Sequence, residues 1–213
     1  MLQLQQLSPE FLQYKNNPPV SDIWQQQVGF VSGSYVHLQA PSGSGKSTLV
    51  QMLYGMPRPY TGTILLNNQD LRQLDAEALA EVRRNRLSIV FQDLRLFPEL
   101  TVMENLQLKQ LQTNTVAEAT IKEWAERLNI SSLLQRNCNT LSMGERQRVA
   151  IIRALCQPFE WLLMDEPFSH LDQGNIQLAA ALILDRVKEL NAGFILADLE
   201  HDNHFPYTRQ MKL

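Results

Sequence analysis

The sequence holds only two cysteines, Cys138 and Cys156, in 213 residues. They stand in no metal-ligand spacing and supply no disulfide framework, which excludes a disulfide-stapled module and points to a reducing compartment. No apolar run approaches the roughly 20 residues that a membrane span needs, so work at a membrane requires another chain to hold this one there. The opening MLQLQQLSPE has neither a basic region nor an apolar core, so no secretory leader is expected. Positive charge is not in excess either. The formal net charge of −3 argues against a nucleic-acid protein, whose usual footprint is a basic face. Glutamine is frequent but forms no low-complexity tract, and no repeat is visible.

What is present is apolar and periodic. A hydrophobic fraction of 44% is ample for a core, and the length fits one α/β domain with a helical insert. Residues 1–39 read as short strands and turns, with a break at Asn17-Pro18-Pro19 and a strand at Tyr35–Leu38. A glycine-rich loop then leads into a helix from Lys46. Further strands are expected at Thr63–Leu66, Leu87–Phe91, Trp161–Met164 and Phe194–Ala197. Helices are expected over Asp75–Arg84, Gly144–Leu155 and a stripe through Ile176, Ala180, Ile183, Val187 and Leu190. Thr115 followed by Glu118 reads as a capping box ahead of a stripe of Ala117, Ile121, Trp124 and Leu128. Strands alternating with helices imply a mostly parallel sheet covered on both faces. Residues 93–157 show little strand signal and read as a helical subdomain inserted into a single domain of residues 1–213.

Ala40-Pro41-Ser42-Gly43-Ser44-Gly45-Lys46-Ser47-Thr48 follows the phosphate-binding pattern G-x-x-x-x-G-K-[ST] except at its first position, where alanine replaces glycine. Gly43 and Gly45 let backbone N–H groups turn inward around phosphate oxygens, and the following helix adds its N-terminal dipole. Lys46 places a compact charge on the β- and γ-phosphates, and Ser47 is a Mg²⁺ ligand. Trp161-Leu162-Leu163-Met164 then delivers Asp165 and Glu166 at a strand's C-terminal end, where α/β proteins bind ligands. Asp165 suits Mg²⁺, and Glu166 suits a general base acting on water. These features alone leave kinases, helicases and many ATPases open.

Leu141-Ser142-Met143-Gly144-Glu145, followed by the basic helix Arg146–Leu155, resembles the signature of ATP-binding cassette (ABC) proteins, L-S-G-G-Q, with Met143 and Glu145 as departures. Ser142 with Glu145 is also a capping box, and the two readings are compatible because the helix N-terminus is the anion contact. Val90-Phe91-Gln92-Asp93 looks like the family's Q-loop, and Ser169-His170-Leu171-Asp172 like its D-loop. The segments Leu74–Arg84 and Phe91–Leu106 are similar to the lipoprotein-releasing and macrolide-export type of cassette.

The resemblance implies a RecA-like P-loop core with a small N-terminal antiparallel β part and an inserted helical subdomain. It implies hydrolysis of ATP to ADP and phosphate with Mg²⁺, and a head-to-tail dimer with a second cassette, the same chain or another. In that dimer Ser142 and Gly144 reach the other subunit's γ-phosphate. Gln92 would contact Mg²⁺ and the attacking water, and Tyr14 stands where the family has an aromatic that stacks on adenine. A separate transmembrane permease meeting the groove beside Gln92 would place the chain on the cytoplasmic face of the membrane; no nucleic-acid partner is implied. The family's switch histidine departs: strand register puts Asp198 there, and His201 follows three residues later. With the sequence ending at Met211-Lys212-Leu213, no regulatory C-terminal domain is expected. A catalytically weak regulatory cassette, or a non-transport cassette ATPase, is the alternative reading.

Overall fold

The computed structural model describes residues 1–14, 20–113, 115–199 and 203–213, and only the backbone at positions 13 and 110–112. In chain order it runs β1 (Leu2–Pro9), β2 (Gln27–Phe30), β3 (Tyr35–Gln39), α1 (Lys46–Leu53), β4 (Tyr60–Leu66), β5 (Gln69–Asp70), α2 (Ala76–Asn85) and β6 (Leu87–Val90). There follow α3 (Val102–Thr113), α4 (Glu118–Arg127), α5 (Met143–Leu155), β7 (Trp161–Asp165), α6 (Gln173–Glu189), β8 (Gly193–Asp198) and β9 (Arg209–Lys212). Two sheets result: an antiparallel one in the order β2-β1-β4-β5, and a parallel one in the order β6-β7-β8-β3-β9.

The central strands carry no polar face because both of their faces are covered. Successive side chains of a strand point to opposite sides. Leu162 and Met164 of β7, with Phe194 and Leu196 of β8, therefore join one apolar cluster with α3, α4, α5 and α6. Trp161, Leu163, Ile195 and Ala197 join the other, with α1, α2 and the antiparallel sheet. Between residues 93 and 157 the named elements are helices and short 3₁₀ turns, and their apolar residues run into the first cluster without a gap. β1 shows the complementary case of a sheet with one covered face, burying Leu2 and Leu4 while Gln3 and Gln5 stay partly accessible.

Two sequence expectations are corrected. Thr115 does not cap α4: the N-cap is Ala117, which has no side-chain capping bond, and Glu118 pairs instead with Lys122 at 2.7 Å. Ala117 is exposed, and Val116 occupies the buried position beside Ile121, Trp124 and Leu128. The helix starts two residues later than the capping pattern implies because Val116 buries by turning the chain inward first. The second correction is β9, which the sequence did not announce. Arg209-Gln210-Met211-Lys212 has a single apolar residue, and it becomes a strand because β3 offers an open edge, pairing Leu38 with Met211. Ser142 and Glu145, by contrast, form both bonds of the expected capping box at the start of α5. Among the described residues no helix is long and apolar enough to cross a membrane.

Candidate nucleotide site

The site grows from the C-terminal ends of β3, β6 and β7, which adjoin in the parallel sheet through β8. From β3 the chain enters the loop of residues 40–45 and turns into α1. Gly43 has φ of +74° and Gly45 +101°, the left-handed region that a side chain disfavours. A Cβ on Gly45 would also fall 2.5 Å from the Phe11 ring and 3.2 Å from the Trp24 ring. Ala40 is a different case. It is fully buried, lies outside the positive-φ set, and donates its N–H to Asp198 O at 2.9 Å, so alanine meets no backbone penalty there.

Lys46 is buried. Its Nζ donates to Ala40 O at 3.0 Å and Pro41 O at 3.4 Å, and lies 3.3 Å from Glu166 Oε1. The Ser47 hydroxyl donates to Gln92 Oε1 at 3.2 Å, while Gln92 Nε2 donates to Glu166 Oε2 at 3.1 Å. Glu166 takes φ of +48°, an uncommon conformation for a non-glycine residue, held by its N–H donating to Ala197 O at 2.9 Å. Asp165 ends β7 almost fully buried, and its Oδ1 has no hydrogen-bond partner among the described residues. Burial pushes the Asp165 carboxyl above its ordinary range; the Ser47 hydroxyl pulls it back, and the neighbouring Glu166 charge raises it again.

A cleft of about 440 Å³ opens over these groups, lined by Phe11, Ser42, Gly43, Gly45, Lys46, Ser47, Thr48, Gln92 and Glu166. Of the residues singled out in the sequence, the P-loop, Gln92, Asp165 and Glu166 come together here. Pro41 and Ala40 contribute carbonyls to Lys46. Ser44 is buried behind the loop, where its carbonyl accepts from Trp24 Nε1 at 3.4 Å. Tyr14 is 77% exposed at the end of a 3₁₀ turn and does not line the cleft. Phe11, three residues earlier, does line it and meets Trp24 edge-on with ring centroids 6.3 Å apart. The available signal for Phe11 was an aromatic directly after a strand that pairs beside the loop.

Ser142 and Gly144 do not line this cleft. They form the first turn of α5, where Gly144 approaches the loop after Glu166 so closely that a Cβ would lie 2.9 Å from His170 O. Asp198 pairs with Gln39 at the end of β8, and its Oδ1 accepts from Leu199 N at 2.6 Å. His201 lies outside the described residues. Both cysteines are buried away from the cleft, and burial pushes the Cys156 thiol up to about 12, so no thiolate nucleophile is available.

The donors around Asp165 are oxygens: the orphaned carboxylate atom, the Ser47 hydroxyl and the Gln92 carbonyl. That set fits a hard divalent cation such as Mg²⁺. An anion-binding loop, a parked lysine and an acid pair at strand ends are the parts of a nucleoside-triphosphate site.

Comparison with known proteins agrees with the geometry. The family model for ABC transporters matches residues 25–169, more than half of the chain. The lipoprotein-releasing system ATP-binding protein LolD of Buchnera aphidicola is 30% identical over 195 residues, covering 90% of this chain and 84% of that protein. The LolD protein of Hahella chejuensis is 35% identical over 170 residues, covering 78% and 73%. Among solved structures, the dimeric post-hydrolysis state of the ATP-binding cassette MJ0796 bound to ADP and Pi superposes with a TM-score of 0.78 at 26% identity, covering 94% of this chain and 88% of that one. Loop, acid pair, signature helix and these relatives together place the chain in the ABC transporter family.

Proposed function

We propose that the chain is the ATP-hydrolysing subunit of a transporter, working as one of two cassettes that energise a separate membrane permease from its cytoplasmic face. The observation that carries the reading is the buried, unpartnered Oδ1 of Asp165 beside Ser47, Gln92 and the Lys46–Glu166 pair. The Lys46 ammonium, 3.3 Å from Glu166 Oε1, engages the base. Entering phosphates compete for Lys46, and its transfer to their oxygens frees Glu166 to accept a proton from water. Gln92, which donates to Glu166 at 3.1 Å, orients that water. Mg²⁺, held by Asp165, Ser47 and Gln92, would neutralise charge on the phosphate oxygens. Ser42–Thr48 bind the phosphates, and Phe11 rather than Tyr14 is placed to meet the base. Ser142 and Gly144 serve the partner cassette's nucleotide, since they stand off their own cleft. We read residues 1–213 as one cassette domain with residues 93–157 as its helical part.

The test is phosphate release by the purified chain with Mg-ATP over a range of pH. Burial holds the Asp165 carboxyl above its ordinary range without a metal cation beside it, so protons compete with Mg²⁺ for this group and the Mg²⁺ concentration needed for activity rises as pH falls. Stability runs the opposite way. A raised carboxyl pKa stabilises the fold below the unfolded pKa, and that contribution is lost as pH rises through the folded value. ATP hydrolysis by Asp165→Asn at the parent rate and with the parent's Mg²⁺ requirement would remove Asp165 from the site.

We read Asp198, whose Oδ1 accepts from Leu199 N–H, as standing where the family has its switch histidine, and on that reading intrinsic turnover is slow. An ionised aspartate cannot donate to a γ-phosphate, and loss of one such donor costs about 2.7–4 kcal/mol, or roughly 10²–10³ in rate. Asp198→His is expected to raise the ATPase rate at least several-fold, and His201→Ala to lower it modestly. No change with Asp198→His, together with loss of activity in His201→Ala, would assign the switch to His201.

A further inference from the structure

Gln147 is fully buried in α5, one turn past Gly144, and does not line the nucleotide cleft. The other buried residues of that helix, from Val149 to Leu155, are all apolar. A primary amide in such surroundings is costly unless both of its ends are hydrogen-bonded. Here Nε2 donates to Pro167 O at 2.6 Å, and Oε1 lies 3.3 Å from His170 Nδ1. A carbonyl only accepts, so the amide nitrogen faces Pro167 and the amide oxygen faces His170. Nδ1 of His170 therefore carries the hydrogen, shared between Gln147 Oε1 and the Ser169 hydroxyl oxygen 3.0 Å away.

Both contacts fall on one short turn. Pro167 is buried and directly follows Glu166, whose φ of +48° a side chain disfavours. Such a conformation persists where its surroundings over-determine it. On the β8 side the Glu166 N–H donates to Ala197 O at 2.9 Å. Phe168 is buried in the apolar cluster, and Leu171 N–H closes the turn on Phe168 O at 3.0 Å. On the α5 side the Gln147 amide makes the hold, at a carbonyl one residue from the base.

We propose that Gln147 is a positioning residue for hydrolysis: its amide, gripping Pro167 and His170 from α5, sets the angle at which Glu166 presents its carboxylate to water. This rests on the reading of Glu166 as the general base. The carboxylate reaches Lys46 at 3.3 Å and Gln92 at 3.1 Å, and rotation of the peptide unit behind it would break both contacts. A misplacement of about 1 Å at a reacting group costs up to about 10²-fold in rate. His170 is the second hold. It is exposed, and it acts on the turn through Gln147.

The test is steady-state ATP hydrolysis by the full chain, with ATP binding and amide hydrogen exchange measured on the same proteins. Gln147→Met keeps the length and volume of the side chain and loses both polar ends. It is expected to lower kcat about 10–100-fold while ATP affinity stays within about twofold, the pattern of an interaction made only in the transition state. In a Glu166→Gln background the same change should cost less than about twofold more, because the group it positions is already gone. His170→Ala should lower kcat several-fold, and His170→Asn, whose amide N–H stands in for Nδ1–H, should restore most of the loss. With no nucleotide added, the Glu166 amide should exchange at least about fivefold faster in Gln147→Met than in the parent. An unchanged kcat in Gln147→Met, a raised KM at unchanged kcat, or an equal loss in the Glu166→Gln background overturns the proposal. If Gln147→Met does not fold, the two His170 variants decide, and equal rates for them overturn it. Hydrolysis at the parent rate in Glu166→Gln, or none in the parent, counts against the base reading itself. Exchange of the Glu166 amide then decides by itself whether Gln147 holds the turn.

Discussion

Glu166→Gln is expected to bind ATP at least as well as the parent and to lose turnover by about 10²–10⁴, the contribution of a positioned general base. The amide keeps the shape of the carboxylate and its acceptance from Gln92 Nε2, 3.1 Å away, but it cannot take a proton from water. It also releases Lys46, which lies 3.3 Å from Glu166 with both side chains largely buried, 5% and 12% exposed. Phosphates then meet a lysine with one competitor fewer, and a carboxylate that would repel the γ-phosphate is gone. The backbone at this position, φ +48°, is no harder for glutamine than for glutamate, so folding is unaffected. With nucleotide held and not hydrolysed, the two cassettes stay together. Size-exclusion chromatography with Mg-ATP should show a dimer in the variant where the parent cycles back to monomer. Hydrolysis at the parent rate would move the base to another residue.

Lys46→Ala is expected to lower ATP affinity by roughly 10²–10⁴. Hydrogen bonds to charged groups contribute about 1.5–3 kcal/mol each, and the ammonium would make two with the phosphates. The variant also leaves Glu166 negative in the cleft with its nearest cation removed, so the incoming triphosphate meets repulsion where the parent offers attraction. Raising the pH does not restore binding, whereas Lys46→Arg keeps a charge and should recover part of it, limited by the larger fork in a space bounded by Ala40 O and Pro41 O. The readout is equilibrium binding of a fluorescent ATP analogue, with far-ultraviolet circular dichroism to confirm folding. Affinity equal to the parent in a folded Lys46→Ala protein would remove the loop from the nucleotide site.

The grouping of Lys46, Ser47, Gln92 and Glu166 at one cleft was legible because most of these residues stand in short contiguous motifs. Gly43, Gly45, Lys46 and Ser47 lie within one loop and helix start, and the backbone conformations they need are the ones the structure shows. Asp165 ends, and Glu166 directly follows, a strand whose other residues are all apolar, which fixes where the two acids emerge. The alternating strands and helices, the buried two-faced sheet and the cap of α5 follow from the same local rules of period and capping. Ala40, a departure from the loop pattern, is harmless because only a backbone with positive φ demands glycine, and this position has none.

What the sequence left open involves residues far apart in the chain. No local signal tells that Phe11 rather than Tyr14 closes over Gly45, because that depends on how the turn after β1 lies against the loop. The strand β9 exists because β3 has an edge to pair with, and the capping of α4 was decided by the burial of Val116. The pairing of Lys46 with Glu166 joins residues 120 positions apart in number, and the orphaned Oδ1 of Asp165 is a fact of packing. Local sequence specifies backbone conformation and side-chain chemistry, since both act within a few residues. Which charges meet, which stay unpaired and which faces remain open is set by the folded sheet, where desolvation and proximity act between segments that the chain itself keeps apart.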